Sequence, residues 1–154
     1  AKLLNMKTNE RLSRVMTTVL ETVAPKDTME RVHEIFSTAD FHHLPVLKSD
    51  GTLLGLISKT DYHQLQDCFT VFRKSSAAEE QNRRLFRSLL VEEVMTIKLA
   101  ALKPDDTVAK ALGYFQENRF RAIPIVDDSH QLLGIVTPLD LLNYAFKEEI
   151  LVDN

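Results

Sequence analysis

Two heptads in this chain share one chemical plan. "GLISKTD" runs from Gly55 to Asp61 and "GIVTPLD" from Gly134 to Asp140. Each reads glycine, two branched apolar residues, a hydroxyl residue, two more residues and an aspartate. Ser58 and Asp61, like Thr137 and Asp140, have the spacing of an N-cap hydroxyl and the acid of a capping box. Pro138, directly after Thr137, suits the first helical position, where a missing N–H goes unnoticed. Each heptad therefore reads first as a strand turning into a helix.

Other residues able to do chemistry are few. His33, His42, His43 and His63 are near in sequence, but no HxxxH or CxxC spacing links them, so no metal centre is expected. Cys68 is the single cysteine. It falls on the apolar stripe of a helix, which suits an inert buried thiol better than a nucleophile. It cannot form an internal disulfide, which fits a reducing compartment. No serine-centred elbow and no glycine-rich phosphate loop occurs, so no enzyme and no catalytic residue is expected. Arg83, Arg84 and Arg87 cluster, and read as a solvated helix face.

The bulk numbers agree. The 154 residues are 44% hydrophobic and 27% charged, enough for one domain or two small ones. A formal net charge of −3 marks neither a nucleic-acid nor a membrane binder. No apolar run approaches the roughly 18 residues of a membrane span, and "AKLLNMKTNERLSR" lacks the apolar centre of a signal peptide. The expectation is a soluble, cytoplasmic protein.

The elements that must position the heptads are also duplicated. At an offset of 79 residues Val15-Met16-Thr17 falls on Val94-Met95-Thr96, Pro25 on Pro104, and Asp27-Thr28 on Asp106-Thr107. Phe36 falls on Phe115, Phe41 on Phe120, Pro45 on Pro124, and Leu53-Leu54-Gly55 on Leu132-Leu133-Gly134. No gap is needed, so residues 15–62 and 94–141 are two copies of one unit. In each, a short apolar strand ("LETVA", "LAALK") precedes a helix opened by the Asp-Thr pair. Met29, Val32, Phe36 and Ala39 in one copy, and Val108, Ala111, Leu112 and Phe115 in the other, recur at helical spacing. Two strands follow, "LPVL" and "LLGLI" or "IPIV" and "LLGIV", and the second runs into another helix. That helix carries Leu65, Cys68, Phe69 and Phe72 in copy one, and Leu142, Ala145 and Phe146 in copy two.

The order is β-α-β-β-α, and one such copy alone would be only marginally stable. The expected fold is α/β (α+β), two repeats related by a pseudo-two-fold and packed through their small sheets. The expected domains are residues 1–70, a helical linker 71–93 and residues 94–154. In the linker, Leu85, Phe86, Leu89 and Leu90 form one apolar stripe, and Glu79–Arg83 and Glu80–Arg84 are i,i+4 pairs.

Two copies that open on Val-Met-Thr, continue through a hydrophobic-Pro-hydrophobic strand and end on Gly-h-h-[Ser/Thr]-x-x-Asp resemble a CBS-domain pair, or Bateman module. The resemblance covers nearly the whole chain and implies a stand-alone module. It implies a regulatory, non-catalytic function: binding of adenine nucleotides or related adenosyl ligands in clefts between the repeats. AMP, ADP, ATP and S-adenosylmethionine all fit as regulatory ligands; no catalytic cofactor is implied. Asp61 and Asp140 match the position whose carboxylate accepts both ribose hydroxyls, chemistry that an acceptor-only group does well. Ser58 and Thr137 match the position that contacts ribose or phosphate, at a helix start that offers free N–H groups to an anion.

The residues before each strand proline, "FHHLP" and "FRAIP", match a region whose basic side chains reach phosphates, which nominates His42, His43 and Arg121. Leu44 and Ile123, with Val23 and Leu102, are candidates to wall an adenine ring; plain core is the competing role. Thr22 has the spacing of a ligand-facing hydroxyl, and copy two has Ala101 there. Ala122 likewise replaces His43, so the two clefts are expected to differ in affinity. The family commonly pairs such modules, and a homodimer is expected; the regulated partner is not identified. The competing function is a dimerisation scaffold with non-functional clefts.

Overall fold

The computed structural model describes residues 7–70 and 76–152. The side chains of Cys68 and Phe69, and all of Phe72, lie outside the described residues. The chain is α+β, with two small antiparallel sheets, and divides into two compact units. A central unit comprises Glu21–Lys98, and a split unit comprises Ala1–Leu20 with Leu99–Asn154.

In the central unit β1 (His43–Leu47) pairs antiparallel with β2 (Leu53–Ser58). The turn between them passes through Gly51 at φ 88°, a left-handed position that glycine takes without strain. Around this hairpin lie α1 (Met29–Thr38), α2 (Lys59–Thr70), α3 (Ser76–Ser88) and the single turn α4 (Val91–Val94). Val32, Phe36, Leu44, Val46, Ile57 and Tyr62 form the core, joined by Phe86 and Val91. The segment expected as a linker thus contributes two buried side chains to the core of the first copy. Of its two expected ion pairs, Arg84 meets Glu80 at 3.8 Å, while Glu79 and Arg83 are not paired among the described residues; Arg87, not expected to pair, reaches across to Glu30 at 3.1 Å.

The split unit repeats the plan with α5 (Val108–Gln116), β3 (Ile123–Val126), β4 (Leu132–Val136) and α6 (Pro138–Val152). Its core is built on Leu12, Leu102, Ala111, Ile123, Ile125, Val136 and Leu141.

The first strand expected in each copy is reduced to one bridge. Val23 pairs parallel to Val46, its N–H donating to Pro45 O and its carbonyl accepting from Leu47 N–H. The next rung needs an N–H from residue 25 and the previous one an N–H from residue 45. Both are prolines, which have none. Leu102 and Ile125 repeat this, bounded by Pro104 and Pro124.

The opposite edge of each hairpin is taken by the other copy's Val-Met-Thr segment. Leu56 in β2 exchanges two hydrogen bonds with Thr96, at 3.1 and 2.9 Å. Ile135 in β4 does the same with Thr17, at 3.0 and 2.8 Å. The exchange extends to the helix starts: Leu12 N–H donates to Asp106 O and Val108 N–H to Glu10 O, while Val91 N–H donates to Asp27 O and Met29 N–H to Leu89 O. The repeating unit of the sequence is therefore not the unit that packs together.

Candidate ligand-binding site

The heptads do what their first reading requires: each ends a strand and begins a helix. In the central unit Ser58 closes β2 and its Oγ accepts from the Asp61 N–H at 3.0 Å. This cap holds the first turn of α2 and leaves the exposed Asp61 carboxylate without a hydrogen-bond partner among the described residues. Tyr62, the next residue, turns inward. It is 3% exposed, its hydroxyl pairs with His33 Nδ1, and burial raises its phenol pKa.

In the split unit the same positions close on themselves. Asp140 Oδ2 accepts from the Thr137 N–H at 2.8 Å and from the Thr137 hydroxyl at 3.0 Å. Asp140 Oδ1 accepts from the Thr17 hydroxyl at 2.8 Å. The Asp140 N–H points back to Thr137 Oγ1 at 3.4 Å.

The two helix starts also differ at one backbone donor. In the central unit the ladder runs to the His43–Ser58 pair, and the Lys59 N–H continues it by donating to His42 O at 2.8 Å. Pro138 stands at the matching place and has no N–H to donate. The β3–β4 ladder accordingly stops at Ile123–Val136.

The other nominated residues fall into two groups. His43 sits opposite Ser58 in the sheet, so those two side chains flank one strand end. His42 is exposed, with Nε2 3.5 Å from Asp40. Arg121 is exposed at the entry to β3, without an ion pair among the described residues. Thr22 is half-buried, directly before Val23. Leu44 and Ile123 are both 0% exposed and belong to the two cores, which is the packing role weighed for them. A cavity of about 400 Å³ in the central unit lies elsewhere, lined by Glu30 and His33 of α1, Gln66 of α2 and Asn82 and Arg83 of α3. Among the described residues no cluster of His, Cys, Asp and Glu could hold a metal ion, and no helix is long and apolar enough to cross a membrane.

Thr17 is the site residue that inspection of the heptads misses. Its sequence signal was the duplicated Val-Met-Thr, which marked a repeat without saying which copy the segment serves.

Comparison with known proteins supports the duplication. The family model for the CBS domain matches residues 12–64 and again 91–147. The chain is 29% identical over 121 residues to an inosine-5'-monophosphate dehydrogenase of Methanocaldococcus jannaschii, spanning 79% of this chain but 21% of the relative. Among solved structures, CBSX2 in complex with AMP superposes with a TM-score of 0.72 at 22% identity, covering 90% of this chain and 98% of that one. The CBS domain pair of protein MJ0100, in complex with 5'-methylthioadenosine and S-adenosyl-L-methionine, superposes at 0.68 with 21% identity, covering 91% and 98%.

Proposed function

This chain belongs to the CBS-domain family, as a pair of repeats on one polypeptide, and we propose that it is a regulatory sensor of adenine nucleotides or related adenosyl ligands, without catalysis. The observation that carries this is the Asp61 carboxylate, held at a helix start by Ser58 and open to donors. A carboxylate so placed accepts both hydroxyls of a ribose, and the positive end of the helix dipole beside it favours a phosphate. Arg121 supplies a cation, and His42 and His43 supply imidazole donors, at the strand ends. Similar pairs solved with AMP and with S-adenosyl-L-methionine support the ligand class. A cytoplasmic location belongs to the same proposal, because a chain with one cysteine suits a reducing compartment. Calorimetry with AMP, ATP and S-adenosylmethionine tests the reading. Saturable binding of at least one is expected, and its loss in Asp61→Ala ties the binding to the site.

A second reading, a dimerisation scaffold, rests on α6. Leu139, Leu142 and Phe146 stand 63, 54 and 48% exposed at helical spacing, so they share one face of α6. An apolar face of this kind marks an association surface. We propose that a second copy of the chain covers it; a dimer is compatible with sensing.

A further inference from the structure

The Asp61 and Asp140 carboxylates differ in how much of their capacity remains. A carboxylate offers about four lone-pair positions. At Asp140 three are taken, by the Thr137 N–H, the Thr137 hydroxyl and the Thr17 hydroxyl. At Asp61 none is taken by any described residue. A ribose diol must donate twice, so it fits Asp61 directly and fits Asp140 only after a donor leaves.

Thr17 is the donor positioned to leave. Its backbone is fixed on Ile135 by two hydrogen bonds, which delivers its hydroxyl to Asp140 Oδ1. Thr96 occupies the matching place on Leu56, yet its hydroxyl makes no bond to Asp61. Thr137 clamps one Asp140 oxygen through its N–H and its hydroxyl, while Thr17 holds the other. We propose that Thr17 is a built-in occupant of the ribose-acceptor position at Asp140, a specificity device that ranks the two sites so that an adenosyl ligand fills Asp61 first and reaches Asp140 only by displacing the Thr17 hydroxyl. The inference rests on the reading that both aspartates accept ribose hydroxyls.

The test titrates the full chain by calorimetry with AMP, ATP and S-adenosylmethionine, carrying the tightest probe forward. Two classes of site are expected, the tighter abolished by Asp61→Ala. Thr17→Val, with Thr17→Ala as a smaller replacement should the first fold poorly, is expected to tighten the weaker class about tenfold, the effect of one hydrogen bond to a charged group. Thr17→Ser, which keeps the hydroxyl, should leave it near the wild-type value. Thr96→Val should leave the tighter class unchanged. A weaker class that fails to tighten in Thr17→Val and Thr17→Ala, or a tighter class removed by Asp140→Ala in place of Asp61→Ala, overturns the ranking while leaving adenosyl binding intact. Binding of none of the three probes by wild-type protein and Thr17→Val, both folded by circular dichroism, overturns the sensor reading itself.

Discussion

A β-carbon added at Gly55 would fall 2.7 Å from the Met95 sulfur and 3.0 Å from the Thr96 carbonyl oxygen. Gly134 meets Met16 and Thr17 at the same distances. The glycine of each heptad and the methionine of the other copy's Val-Met-Thr therefore fit one another across the sheet edge. Overpacking of this kind costs about 1–3 kcal/mol, so Gly55→Ala should unfold at lower denaturant. Met95→Ala in the same chain should recover only part of the loss, because the Thr96 carbonyl still crowds the site. Additive losses in the double mutant would count against the contact.

The two aspartates should separate in thermal melts. Asp61→Ala keeps the Ser58 bond to its N–H and loses only a helix-dipole contribution, on the order of 0.3–1 kcal/mol. Asp140→Ala loses three accepted hydrogen bonds and should melt clearly lower, with about 1–3 kcal/mol at stake. Ligand at one hundred times its dissociation constant adds about 2.7 kcal/mol, or roughly 2–4 °C for each kcal/mol. That shift should shrink in Asp61→Ala and vanish in the double mutant. A full ligand shift in Asp61→Ala/Asp140→Ala would remove both sites from consideration.

Arg121 is expected to read phosphate. Arg121→Ala should weaken ATP more than adenosine, since only ATP carries charge for the guanidinium to meet. Equal loss for both ligands, measured by calorimetry, would make Arg121 a structural residue.

Asp106 should give the split unit a pH signature. Burial disfavours its charge, but the Lys103 N–H at 2.8 Å and the Lys110 ammonium at 3.0 Å outweigh that and lower its pKa. A carboxylate depressed in the folded state contributes stability above its unfolded pKa, and that stability is lost as pH falls through the folded value. Asp106→Asn should therefore be less stable than wild type at pH 7, by about 1 kcal/mol or less. The gap should narrow below about pH 4. A gap unchanged down to pH 2 would show that ionisation of Asp106 is not its source.

Leu142→Glu places a charge on the exposed face of α6. Wild type is expected to scatter light as a dimer at micromolar concentration and the variant as a monomer with the same circular dichroism. A wild-type monomer would dispose of the homodimer.

Much of this was legible in the sequence, because periodicity and duplication act locally. The register of the two copies, the helix starts at Ser58 and Thr137, and the hairpins all follow from residues close together in the chain. The length of the first strand was not, although its cause was visible: Pro25 and Pro45 each remove one rung of the same ladder, and they meet only once the strands are paired. The partner of Val-Met-Thr was invisible, because an identical segment in each copy cannot say which hairpin it serves. The unequal aspartates were half legible. Thr137 in place of Ser58 is a plain sequence difference, but the third bond comes from Thr17, far away in the chain.

The exchange of edge segments also sets an order of assembly. The central unit is one uninterrupted stretch, Glu21–Lys98, and can close as it leaves the ribosome. The split unit cannot. Thr17 emerges before the central unit, and its partner Asp140 follows 123 residues later. Until then the first segment's native edge is missing, and the edge of the same kind on β2 belongs to Thr96, with a Gly55 that accommodates a methionine equally well. A nascent chain can thus pair Met16 with the wrong hairpin, and the arrival of residues 94–96 must displace it. Slow refolding after removal of denaturant, quickened in a chain whose Met16-Thr17 is altered to disfavour Gly55, would be the trace of that rehearsal.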